Sequence, residues 1–299
     1  MATSTSASPA VQNTAAQQRQ QQNRGSGSGV TFGRVLKSEW IKVTTIPSTV
    51  ILIATTVVVM VGIAALLAWQ TTFLFESMSD PAMAAQMQAQ GAPDPAEISR
   101  DIPGSGLIFG QLLMASLAVV LIASEWGTGM IRSTMVAVPN RTSALLAKQL
   151  IMAAVSFLVG AGSALIGYVI AQPILGTQDL GFGLDAEGAL LHIVNTGSVL
   201  ALVSVFAMSI GTLIRNTAGG VVTSIGVLLV LPIVVAIFGG GTEWVADAAR
   251  FLPSSGGEQM VATTIADGDL NQWQGALVLG GWALLLLVLS LVATKKRDI

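Results

Sequence analysis

Long apolar runs dominate the chain, and short stretches carrying the charges separate them. The runs cover 43–75, 102–124, 149–178, 188–214, 216–242 and 270–294. Each has room for the roughly 20 apolar residues that cross a bilayer as helix. Helix is the form expected, because backbone groups in lipid must be satisfied within the segment itself. The pattern predicts spans at about 49–69, 106–123, 146–171, 188–213, 218–238 and 274–294, with Pro232 kinking the fifth. The expected fold class is an all-α integral membrane protein with six transmembrane helices.

Between the spans the pattern changes. Residues 1–29 are rich in Ala, Ser, Thr, Gln and Gly without apolar period, which predicts a disordered tail ahead of a membrane domain over 30–299. Residues 32–43 read as an amphipathic helix lying on the membrane surface. Phe32, Val35, Leu36, Trp40 and Val43 share one arc, with Arg34, Lys37 and Lys42 off it and able to meet lipid headgroups. Ile41 breaks the pattern, and Glu39 breaks it more informatively by falling inside the apolar arc. The plainer reading is an end-of-face residue that reaches back to water; the sharper one is a partner for a cation on a neighbouring element. Pro47 is expected to end this helix.

In the loop 70–105, Asp80 can cap a short helix, Pro81 suits its first position and Gly91 can end it. Met78, Met83 and Met87 are better read as packing or surface residues than as a soft-metal site, since no His or Cys joins them. The loop 239–273 carries two short helical patterns broken at Ser254–Gly257, with Trp244, Ala248, Phe251 and Leu252 on one apolar face. They suit interfacial or partly re-entrant helices. Within the spans, Ser156, Gly160 and Ala164 put small residues every four positions and predict close helix packing. His192 and Asn195 share a face of the fourth span. A hydrogen-bonded structural role is preferred for them over a proton relay.

Composition agrees with the membrane reading and narrows the chemistry. Hydrophobic residues make up 52% and charged residues 10%, against roughly 25% charged in soluble proteins. Of 14 basic residues, only Arg100 and Arg250 fall on the side opposite the N-terminus. The positive-inside rule therefore predicts both termini in the cytoplasm and a cell-membrane location. Cysteine is absent and there is one histidine, so disulfides, thiolate metal sites and Cys–His nucleophiles are excluded. No GxxxxGK[ST] phosphate loop and no GxSxG elbow occurs. No catalytic residue, metal or cofactor is expected, and no nucleic-acid partner.

One stretch stands out, ASEWGTGMIRSTMVAVPNR at 123–141. It is the largest inner loop. Gly127 and Gly129 are expected to relax the backbone between two helices. Glu125 sits at the membrane edge, able to pair with Arg132 or with a cation of the surface helix. Together with Ser38-Glu39-Trp40-Ile41-Lys42 and Gly211-Thr212-Leu213-Ile214-Arg215, the run Glu125-Trp126-Gly127-Thr128-Gly129-Met130-Ile131-Arg132 resembles the permease subunits of ABC exporters of the type 2 class. A Tyr often stands there at the place of Trp126.

The resemblance implies six spans, cytoplasmic termini, a connecting surface helix, a cytoplasmic coupling helix between spans two and three, and short outer helices before span six. It implies that Glu125, Trp126, Gly127, Thr128, Gly129 and Arg132 transmit force from separate P-loop ATPase subunits. It also implies that Glu39, Trp40 and Lys42 belong to the connecting helix, with Glu39 as a brace. A second permease chain, identical or not, would complete a path past spans two and five for an unidentified cargo. The expected apolar lining and lack of buried charge lean towards a hydrophobic or amphipathic one. Two other readings stay open: an ATP-independent channel or carrier, and a membrane-embedded signalling or immunity protein.

Overall fold

The computed structural model of the chain describes residues 31–89, 94–130, 141–238, 243–265 and 268–296, and every regular element among them is helical. Six helices are long and apolar enough to cross a membrane. The tail 1–29, Gly91 and Arg132 lie outside the described residues.

The first helix, α1, covers Phe32–Thr45. Ile46 then turns extended, with φ −76° and ψ 116°, as a residue before proline must. Pro47 opens the first span, α2 (Pro47–Ser77), at the position where its missing N–H costs nothing. This span is 31 residues long, about 46 Å at 1.5 Å per residue. It therefore extends past the roughly 30 Å hydrocarbon layer, well beyond the 49–69 expected.

Two short helices follow, capped alike. The Asp80 carboxylate accepts from the Ala82 amide at 2.9 Å and starts α3 (Pro81–Ala89). Asp94 does the same for the Ala96 amide and starts α4 (Pro95–Asp101). Through a 3-10 turn at Ile102–Gly104, α4 leads into the second span, α5 (Leu107–Gly127). That ordered approach is absent from the expected loop 70–105, although Asp94-Pro95 repeats the Asp80-Pro81 signal.

The third span is α6 (Arg141–Leu175) and the fourth α7 (Ala189–Ile214). The fifth is built from α8 (Thr217–Ile225), a π-turn at Gly226–Val230, and α9 (Leu231–Phe238). The Leu231 amide donates to the Gly226 carbonyl, five residues back. Pro232 follows at once. Its ring crowds the carbonyl four residues behind it, and the widened turn relieves that conflict.

After α10 (Glu243–Ala249) comes α11 (Pro253–Val261), and the last span is α12 (Gln272–Lys296). The break expected at Ser254–Gly257 is not there. Those residues lie inside α11, and the chain turns at Arg250–Leu252 before Pro253. The glycines serve a crossing instead: a Cβ on Gly275 of α12 would sit 2.7 Å from the Gly256 carbonyl oxygen.

Burial separates the spans into centre and periphery. In their most apolar windows, α5 and α7 are 61% and 67% buried, whereas the first, fifth and sixth spans are 17%, 11% and 17% buried. Close backbone approach makes the centre. A Cβ on Gly160 of α6 would lie 2.9 Å from the Gly197 Cα of α7, and Ser156 and Ala164, one turn either side, are fully buried. A Cβ on Gly106 would lie 2.4 Å from the Met60 Cα of α2.

Candidate functional site: a closed ring of four charges

The site begins with α1. Val35, Glu39 and Val43, spaced four apart, are its buried residues. Val35 packs with Ala144 and Ala147 of α6. Phe32 and Trp40 stay 44% exposed, so the predicted apolar arc is divided between the bundle and its surroundings. Glu39 falls in the half that faces the bundle and is buried there.

Its partners arrive from two other helices. Lys148, in the second turn of α6, donates to Glu39 Oε2 at 2.5 Å and to Glu125 Oε1, in the last turns of α5, at 2.8 Å. Lys42, one turn along α1 from Glu39, donates to Glu39 Oε1 at 2.9 Å and to Glu125 Oε1 at 3.1 Å. The four charges alternate around a closed ring that joins three helices and sums to zero. Glu39, Glu125 and Lys148 are buried, while the Lys42 side chain keeps 27% exposure. Taking these charges out of water costs several kcal/mol each, and their mutual attraction must offset it.

The titration of α1 reflects the contest. Burial pushes the Glu39 carboxyl up, but the charge and hydrogen bonds of Lys148 and Lys42 outweigh it and hold the group below its usual 4.5. Burial likewise lowers Lys42, and the bonds and charges of Glu39 and Glu125 carry it above 10.5. Glu125 Oε2 has no hydrogen-bond partner among the described residues. A cavity of about 260 Å³ opens beside the ring, lined by all four charged residues with Met130, Met152 and Met208.

The described part of the neighbouring stretch, 123–130, continues the second span into its cap. Glu125, Trp126 and Gly127 form the end of α5, and Thr128 caps it by donating its hydroxyl to the Ser124 carbonyl at 2.8 Å. Gly127 continues the helix and relaxes nothing. Gly129 turns the chain with φ +73°, a conformation that favours glycine. The Arg215 guanidinium lies 4.0 Å over the Trp126 ring and ties the end of α7 to the same corner. Such a contact is worth about 0.5–2 kcal/mol. Arg215 itself sits at φ 56° as the cap of α7.

The sequence signalled Glu39 and Glu125 by position, and of Glu125's two expected partners the structure shows the cation of the surface helix. Lys148 is the member of the ring that the sequence reading does not single out. Its signal was its place, three residues into a predicted span, where an ammonium needs a partner. The link from Trp126 to Arg215 had no signal beyond the two residue types.

At the other end of the bundle, His192 and Asn195 meet backbone. His192 Nδ1 lies 2.6 Å from the Val261 carbonyl, and Asn195 donates to the Met260 carbonyl at 2.5 Å. Gln272 donates to the Ala262 carbonyl at 2.7 Å. These are the carbonyls that the end of α11 leaves without helical partners. The preferred hydrogen-bonded reading of His192 therefore has a definite form, a cap on a neighbouring helix. Among the described residues no group of three or more His, Asp or Glu could hold a metal ion.

No family model matches the chain, and no curated protein does either.

Proposed function

We propose that this chain is the membrane-spanning subunit of an ATP-driven exporter of the type 2 ABC class, in the cell membrane with both termini cytoplasmic. The observation that supports the reading is the ring of Glu39, Lys42, Glu125 and Lys148. It ties the surface helix to the end of the second span and the start of the third, which flank the segment 125–132. A push delivered there would reach both spans through the charges that they share with the surface helix. The ring performs no chemistry, and ATP hydrolysis would belong to separate P-loop ATPase subunits. A second permease chain would pair with this one, and Arg132 would extend the same contact surface.

The test is co-purification with a P-loop ATPase encoded beside this chain, followed by ATPase and efflux assays in lipid. The chain alone should hydrolyse no ATP. The complex should, and Glu125→Gln should insert normally yet lose efflux and the stimulation of the ATPase. Transport by the chain alone would favour the channel or carrier reading. A stable partner complex without cargo movement would favour the signalling one.

A further inference from the structure

We propose that the groove between α1, α2 and α6 holds one anionic phospholipid, with an acyl chain along Val50, Ile53, Leu158 and Gly162 and the phosphate at Lys37. The site requires only that the chain lies in a bilayer, and it would stand if the transport reading fell.

The groove has a volume of about 430 Å³. Its α2 and α6 walls are apolar apart from the buried Ser163, and Trp40 and Thr44 of α1 close one end. Helical hydrogen bonds already occupy the backbone there, so the groove offers contact to an apolar chain and little to a polar solute. Along α6 it runs from Val155 to Ile166, about 16 Å at 1.5 Å per residue. That is close to half of the roughly 30 Å hydrocarbon layer, the depth of one leaflet. A single acyl chain of one leaflet matches that length.

Charge sets the class of lipid. Lys37 stands three residues before Trp40 and seven before Thr44, so all three share a face of α1. Lys42 and Lys148 spend their charge inside the ring. Lys37 is exposed and has no ion pair among the described residues. One turn beyond Trp40, it is placed for a headgroup phosphate at the membrane surface.

Gly162 makes the site testable. A Cβ there would meet no atom within 4 Å, so a side chain added at this position enters the groove and not the protein. The full-length chain is reconstituted in nanodiscs of equal phosphatidylglycerol and phosphatidylcholine, released, and examined by native mass spectrometry. The expected result is one phosphatidylglycerol retained per chain in preference to phosphatidylcholine. Gly162→Phe should cut that retention at least ten-fold. Gly280→Phe, at another open glycine on α12, should leave it unchanged. Lys37→Gln should weaken the preference about five-fold, the effect of one surface cation. Equal retention of the two lipids by the unmodified chain overturns the site, as does full retention by Gly162→Phe. A cysteine at Leu158 that cross-links two copies would show a second chain covering the groove, and overturns it too. Lys37→Gln lies at an exposed position and keeps the test decisive if Gly162→Phe misfolds, since unchanged selectivity in it rejects the site.

Discussion

The bundle is tied together differently at its two ends. Where α1 packs, four full charges from three helices close a ring whose members lie up to 109 residues apart in the chain. Where α11 packs, neutral donors on α7 and α12 cap the carbonyls of a short helix, and paired glycines let backbones touch. Charges attract over several ångströms and can exchange partners, so a ring of them can carry a displacement and close again. A carbonyl cap depends on direction as well as distance and is lost within about an ångström of displacement. The first end is suited to transmit movement, and the second to hold a shape.

The largest expected effect breaks the ring. Lys148→Leu leaves two buried carboxylates facing Lys42 alone and should cost about 3–5 kcal/mol. The double variant Glu39→Leu with Lys148→Leu removes one charge of each sign and keeps the Lys42–Glu125 pair. It should recover more than half of that loss. Thermal unfolding midpoints in detergent check both, and a double variant as unstable as the single one would show that the packing of Lys148 matters more than its charge.

At the other end, Asn195→Leu strands the Met260 carbonyl without adding a charge, and should cost about 1–3 kcal/mol. Here a compensating second substitution has nothing to restore, because the orphaned group is backbone. Rescue of Asn195→Leu by any partner change on α11 would remove the distinction between the ends.

The smallest effect is in pH, and it separates the ends most cleanly. Glu39 is held below its usual value, so its contribution is present above about pH 4.5 and is lost as pH falls through the folded value. Lys42 is held above its usual value, so its contribution is complete below about pH 10.5 and is lost as pH rises through the folded value. The stability difference between the native chain and Glu39→Gln should be flat between these limits and shrink on the acid side. The difference for Asn195→Leu should show no such step, since an amide does not titrate.

Much of this was legible in advance. The six spans followed from run length, because a bilayer demands about 20 apolar residues whatever their neighbours. The Asp80 cap followed from local residue types alone. Glu39 was conspicuous on an apolar arc, but whether it met water or a cation depended on what lay across from it. Ser254–Gly257 misled for the same reason: glycine pairs break an isolated helix, yet permit a crossing once a second helix approaches.

Length, periodicity and punctuation by charge thus determined the helical fold class and the six helices long and apolar enough to cross a membrane, since those properties act along a single segment. The three-helix ring, the capping of α11 by His192 and Asn195, and the burial of α5 and α7 were decided only by tertiary structure. Each depends on which residues, far apart in the chain, are brought within about 3 Å, and that distance is set by how helices cross.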